Sequence, residues 1–185
     1  MNIGAQEFLK MAEETGKIAT FDIEATGLKG DYNSVLIVTV KPYGKKCITL
    51  SVDRPGDDRR LVVAARELLQ RYPVWISYYG KGFDVPMIQT RLLSHRAKPL
   101  VKSLHLDIYW LLKAHIITAR RSQAHYLRWM DTPSQKMDMS PEEWNQVLAN
   151  PKKALVRMRQ RCESDCIGLE GLYDRVKHLV ADIRR

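Results

Sequence analysis

The sequence predicts an α/β fold: a mixed five-stranded sheet flanked by helices on both faces. Three observations predict it. Runs rich in β-branched and aromatic residues come first, at residues 17–25, 34–40 and 47–52. Segments of helical spacing then alternate with short apolar runs, in the order αβαβα. The chain has 185 residues, 45% of them hydrophobic, which suits one domain spanning 1–185 with its core at about residues 17–180.

Each element has a local reason. Ile3, Phe8 and Leu9 can form one side of a short helix packed on the domain. The first strand, 17–25, ends at Thr26-Gly27. The second and third runs flank Pro42-Tyr43-Gly44-Lys45, whose turn chemistry makes them a hairpin. Asp57 or Asp58 can cap a helix over 59–72, and Pro73 stops it. A fourth strand, 74–78, leads through Gly80 and Gly82 into a helix over 85–95 that Pro86 enters at its start. A fifth strand over 100–106 and helices over 107–115 and 122–130 follow. Residues 131–140 read as an irregular loop. Ser140-Pro141-Glu142-Glu143 is a helix N-terminus, and the last long helix runs from 152 towards 180.

Charge points to a polyanionic partner. The net charge is +9 and the sequence pI about 9.5, with basic residues grouped at Arg120-Arg121, at 125–129 and at 152–161. No apolar run approaches the roughly 18 residues that cross a bilayer, so no membrane association is expected. The three cysteines, Cys47, Cys162 and Cys166, do not form a disulfide framework and fit a reducing, cytoplasmic setting.

The chemistry lies in four acids. Strand alternation turns Asp22 and Glu24 to one face and Phe21 and Ile23 to the other. Two carboxylates side by side in an apolar strand require compensation, for which a divalent cation or solvation at the strand end are the alternatives. Asp84 follows the fourth strand at a helix start, as a ligand or a plain cap. Asp165 heads an apolar helical stripe of Leu169, Leu172, Tyr173 and Val176, so it is buried or paired, with a metal ion or with an arginine. All four converge at one end of the predicted sheet. Such hard oxygen donors suit Mg²⁺ or Mn²⁺.

Phe21-Asp22-Ile23-Glu24-Ala25-Thr26-Gly27-Leu28 resembles the first exonuclease motif of DnaQ-like (DEDD) enzymes. The run from Tyr79 to Pro86, including Lys81, Phe83 and Asp84, resembles the second motif in the form seen in family B polymerase editing domains and YprB-type RNase H-like proteins. Arg161-Cys162-Glu163-Ser164-Asp165 resembles the third. The resemblance implies the RNase H-like fold and 3′→5′ exonuclease activity on a single-stranded nucleic acid 3′ end, DNA rather than RNA. It also implies two ions, Mg²⁺ or Mn²⁺, held by Asp22, Glu24, Asp84 and Asp165. Asp22 would bridge them, Glu24 and Asp165 would complete the water-activating site, and Asp84 would support the second ion. Thr26, Gly27, Leu28, Tyr79, Lys81 and Phe83 would line the strand's path. A polymerase or other replication or repair protein is the implied partner.

Two positions depart from that pattern. Where the family carries a Tyr or His before its last aspartate, this chain has Arg161 and Gln160. Arginine stays protonated and cannot act as the base, so Arg161 pairs with Asp165 or holds the scissile phosphate. The expectation is a slower or Mn²⁺-favouring enzyme, and the alternative a catalytically weak or inactive nucleic-acid-binding module. Tyr79 stands where asparagine is common, as a core aromatic or a stacking platform for the terminal base. His105 is a structural histidine or a substitute base. Arg120 and Arg121, in a basic stretch interleaved with Tyr126 and Trp129, track phosphates or form a solvated face.

Overall fold

The computed structural model describes residues 4–101, 103–132, 137, 139, 140, 142, 143, 146, 147 and 150–181. The order is α1 (Ala5–Glu14), β1 (Ile18–Ala25), β2 (Val35–Pro42), β3 (Ile48–Ser51), α2 (Arg59–Leu69), β4 (Val74–Ser77), α3 (Asp84–Ser94), β5 (Leu104–Asp107), α4 (Ile108–His115), α5 (Gln123–Trp129) and α6 (Pro151–Val176), closed by a 3₁₀ turn at Lys177–Leu179. The five strands lie in the order β3-β2-β1-β4-β5. The pairs β3–β2 and β2–β1 are antiparallel, and β1–β4 and β4–β5 are parallel. The mixed sheet and its strand directions are therefore those expected from the element order.

Alternation on the central strands separates two environments. Thr20 donates to the Cys166 carbonyl of α6, Asp22 accepts from the Cys162 thiol, and Lys41 pairs with Glu170 at 2.6 Å. Thr20, Asp22 and Glu24 of β1, with Thr39 and Lys41 of β2, thus face α6. Phe21 faces the other way and packs edge-on against Trp75 at 5.9 Å, within the cluster that holds Leu61, Val62 and Leu69 of α2 and Met87, Ile88 and Leu92 of α3. On the α6 side, Ile18, Val74 and Ile76 pack with Leu9 of α1, Ile108 and Leu112 of α4, Tyr126 of α5 and the Leu169–Leu172–Tyr173 stripe of α6. That stripe is the one Asp165 heads.

Three boundaries differ from the sequence expectation. Helix α2 stops at Leu69, because Arg71 and Tyr72 donate three residues back, to Leu68 and Leu69, and tighten the chain out of the α-helix. Strand β5 begins only at Leu104: Leu100 N–H donates to the Gln89 side chain, not to a strand. Asp58 precedes α2 but makes no side-chain cap bond. Its carboxylate is drawn away to Val35 N–H, Arg91 and His95. Ser140 and Glu143 make the reciprocal bonds of a capping box, at 3.3 and 2.8 Å, as the sequence pattern predicts. Ile3, Pro141 and part of the expected loop at 131–140 lie outside the described residues. Among the described residues no helix is long and apolar enough to cross a membrane.

Candidate metal centre

Strand β1 outruns β4. Its parallel pairing covers Ile18–Thr20 only, so the last residues of β1 lack a strand on that side. Asp84, the first residue of α3, fills the gap: its Oδ1 accepts the Ile23 N–H at 3.1 Å. The plain-cap reading of Asp84 therefore fails, since its carboxylate serves β1. On the β2 side the register slips between Glu24 and Ala25, a bulge that re-aims the chain just past the two acids. Thr26 then closes the β1–β2 loop, donating N–H to Ser34 O and accepting Ser34 N–H. A Cβ on Gly27 would lie 2.5 Å from the Asn33 side chain, which would have to move to admit it.

Asp22, Glu24 and Asp165 form one acidic cluster. Each offers an oxygen within 4.8 Å of the others, two from β1 and one from α6. Glu24 is 4% exposed and Asp165 2%, so water does little to screen their repulsion. Arg161, one helical turn before Asp165, reaches into this group. Its guanidinium forms an ion pair with Glu24, lies 3.8 Å from Asp165, and donates through Nε to the Met137 carbonyl at 3.2 Å. Burial opposes its charge, but Glu24, Asp165 and Asp22 outweigh burial and hold the guanidinium above its usual pKa. It is a fixed cation and no base. Three hard oxygen donors brought within 4.8 Å of one another suit a divalent ion such as Mg²⁺ or Mn²⁺. The residues present fit such an ion.

Asp84 lies beside the cluster, outside the set of three. Burial first, then the charge of Asp22, raises its pKa well above the ordinary carboxylate range. Cys162 packs its thiol 3.4 Å from Asp22 Oδ2, and burial holds that thiol in its neutral form.

The acids open onto a cleft of about 350 Å³ lined by Thr26, Gly27, Leu28, Phe83 and Arg161 as well as by Asp22, Glu24 and Asp165. Leu28 stands 79% exposed at its rim. A larger depression, about 560 Å³, lies between β3 and α2 around Asp53, Arg54 and Arg60. The Arg60–Asp53 ion pair beside it is almost fully solvated at 3.6 Å, and among the described residues no acidic cluster adjoins it.

The remaining candidates fall elsewhere. Tyr79 and Lys81 occupy the turn before α3, and neither lines the cleft. Arg120 and Arg121 are exposed in the connection before α5 and do not line the cleft. Tyr126 is wholly buried, so it belongs to the core. His105 shares a 2.7 Å hydrogen bond with Ser77 Oγ and packs on Phe21 and Trp75, on the face away from α6. Burial and then Lys81 push its pKa down to about 4. It is the structural histidine of the two readings. Asp107 was missed as more than a helix start: its oxygens accept from Tyr79, Lys81 and Tyr109 N–H groups at 2.8, 2.9 and 3.1 Å. The signal was one acid ending the apolar run Leu104-His105-Leu106-Asp107.

Among solved structures, the family B DNA polymerase from the hyperthermophilic archaeon Pyrobaculum calidifontis is similar, with a TM-score of 0.70 at 18% identity. The match covers 86% of this chain and 24% of the polymerase chain, so this chain spans about a quarter of that protein. At that identity the likeness shows the fold. A comparison with curated proteins finds no match. The family model described as RNase H superfamily matches residues 19–177, a span that runs from β1 to the end of α6 and takes in all four acids. The chain belongs to the RNase H superfamily.

Proposed function

We propose that the protein is a divalent-metal-dependent nuclease that removes nucleotides from the 3′ end of a single strand, DNA in preference to RNA. The observation that carries this reading is the cluster of half-buried Asp22 with buried Glu24 and Asp165 lining an open cleft. The superfamily match and the fold shared with a DNA polymerase support it. Asp22, Glu24 and Asp165 would hold the ion, with Asp84 next to them and bound to the strand that carries two of the three. Divalent ions, when bound, supply Lewis-acid polarisation of the scissile phosphate and offset the charge that develops on the leaving oxygen. Leu28 and Phe83, on the cleft walls, would hold the terminal nucleotide. Arg161 stands where its charge can meet a non-bridging phosphate oxygen. No residue of the described cleft replaces the missing Tyr or His, and His105 lies on the other face. A general base typically contributes about 10²–10⁴-fold, so turnover is expected to be slow by a factor of that order.

The Arg161–Glu24 ion pair favours a second reading, a nucleic-acid-binding module with weak or no catalysis. A 5′-labelled single strand separates the two. Stepwise shortening from the 3′ end with Mg²⁺ or Mn²⁺ is the expected result. Retention of intact strand would establish the binding module, and internal cuts would replace the exonuclease with an endonuclease.

The same ion pair yields a prediction about the ion. Arg161 and a divalent cation compete for Glu24 and Asp165, so Arg161→Gln should bind Mn²⁺ more tightly, by about tenfold (1.4 kcal/mol). Without metal the variant should melt below the wild type, because its carboxylates lose their counter-charge. Calorimetric titration and melting curves with and without Mn²⁺ check both. Weaker Mn²⁺ binding by the variant would show that Arg161 helps to assemble the site and does not compete for it.

A further inference from the structure

The turn that leads into Asp84 carries an unusual piece of backbone. Tyr79 has φ +64°, the left-handed region that a bulky side chain rarely adopts. Such a conformation is strained and persists where its surroundings enforce it. Here the enforcement is Asp107. Its buried carboxylate accepts the N–H groups of Tyr79 and Lys81 on one side and of Tyr109, in the first turn of α4, on the other. The Tyr79 ring lies over Gly82, where a Cβ would come within 2.5 Å of Cζ, so residue 82 must be glycine for the ring to stay.

This arrangement turns the ring outward. Tyr79 is 44% exposed and Trp110 43% exposed. Tyr79 lies 5.0 Å from Tyr109 and 6.2 Å from Trp110, with only 36° between the Tyr79 and Trp110 planes. Lys113 sits over Trp110, its Nζ 4.6 Å from the ring centre. Tyr78 packs on Tyr109 at 5.9 Å and donates its hydroxyl to Arg121 O, which pins the Arg120–Arg121 segment beside the rings. The result is an aromatic ledge edged by Lys81, Lys113 and Arg121. It stands at the C-terminal ends of β4 and β5, the same sheet end at which the parallel β1 presents Asp22 and Glu24. Phe83, on the same turn as Tyr79, lines the acidic cleft.

We infer that Tyr79 and Trp110 form a stacking platform for the unpaired bases of a nucleic-acid strand whose backbone is met by Lys81, Lys113 and the Arg120–Arg121 segment. Exposed π faces beside fixed cations match a polyanion that carries flat apolar groups. A duplex keeps its bases stacked on each other and cannot offer them to the ledge, so the ligand is single-stranded. The biological meaning rests on the nuclease reading of the adjoining cleft, but the platform itself is tested by binding alone.

The test uses a short fluorescent oligothymidylate and an abasic strand of the same length and charge, titrated in the presence of EDTA so that nothing is cleaved. Wild-type protein should bind the base-bearing strand about tenfold or more tighter than the abasic one. Trp110→Ala, a surface change, and Tyr79→Asn, which keeps a residue that tolerates positive φ, should each remove most of that preference. Neither should alter the affinity for the abasic strand, and Trp110→Phe should restore the preference in part. Equal binding of the two strands by the wild type, or an unchanged preference in both Trp110→Ala and Tyr79→Asn, would overturn the platform. A preserved base preference in a protein that cuts no strand would keep the platform and remove the nuclease reading instead.

Discussion

Asp22→Ala is expected to lower strand cleavage by about 10³-fold or more while leaving the protein at least as stable as the wild type. The expected loss follows from the position of Asp22. It is one of the three residues whose oxygens come within 4.8 Å of one another, and it sits on the strand that also carries Glu24. A cation held by the remaining pair loses a hard ligand and its placement in the cleft. Metal stabilisation of a phosphoryl-transfer transition state contributes several kcal/mol, at 1.36 kcal/mol for each tenfold in rate. The expected stability follows from repulsion. Asp22 is one reason that the Asp84 carboxyl sits far above its ordinary pKa, second only to burial. Removing one acid from a crowded group relieves like-charge repulsion, and alanine suits the strand's extended backbone. Cleavage assays on a labelled strand, paired with thermal melts without metal, check the two halves. Full activity in the variant would identify the cleavage as a contaminant's, and a large fall in melting temperature would show Asp22 to be a structural acid.

Much of this site was legible because it depends on period alone. Strand alternation puts Asp22 and Glu24 on one face whatever the rest of the chain does, and helical spacing joins Asp165 to Leu169, Leu172 and Tyr173. The order of elements along the chain, and with it a mixed sheet, followed from turn chemistry and from the switch between periods of two and of 3.6. What stayed hidden is the choice of partner across long separations. Helical spacing offers Arg161 the Asp165 carboxylate one turn away, and that ion pair forms at 3.8 Å, but its closer partner is Glu24, 137 positions distant. Local spacing names the neighbours a side chain can reach and is silent on what the packed sheet brings closer. Asp107 was hidden for a related reason. A carboxylate at a strand end reads as a helix cap, and it does accept Tyr109 N–H as one, but the same two oxygens also hold the Tyr79–Lys81 turn. By sequence Tyr79 is a core aromatic or a platform, and its ring, 44% exposed, speaks against the core. Trp110 and Lys113 carried no motif and emerged only as neighbours of that ring.

Asp58 shows how a residue whose local role is plain can be taken over by the fold, and it carries the largest stability effect expected here. By sequence it is an N-cap; in the fold its side chain is fully buried and holds three elements together. Oδ2 accepts from Val35 N–H and Arg91 Nε, both at 2.8 Å. Oδ1 accepts from Arg91 Nη2 at 2.9 Å and lies 2.6 Å from His95 Nε2. Arg91 in turn donates to the Gly30 carbonyl, so the β1–β2 loop, the start of β2, the approach to α2 and helix α3 meet at one carboxylate. Asp58→Ala leaves a largely buried guanidinium without its counter-charge and the Val35 N–H without an acceptor. Breaking a buried pair on one side costs about 3–5 kcal/mol, against a total of roughly 5–15 kcal/mol for a domain. At roughly 2–4 °C per kcal/mol for a chain of this size, the melting temperature should fall by about 10 °C at neutral pH. The effect must also depend on pH. Burial opposes ionisation of Asp58, but the bonds from Arg91, His95 and Val35 outweigh it, and the carboxyl lies below its usual pKa. A depressed carboxylate contributes stability that is fully present above the unfolded value, about 3.9, and is lost as pH falls through the folded one. The gap between wild type and Asp58→Ala should therefore be present at neutral pH and should narrow below about pH 4. Melts across that range check it. A gap of under about 3 °C at neutral pH, or one that fails to narrow below about pH 4, would mean that the carboxylate is not the tie that its contacts describe.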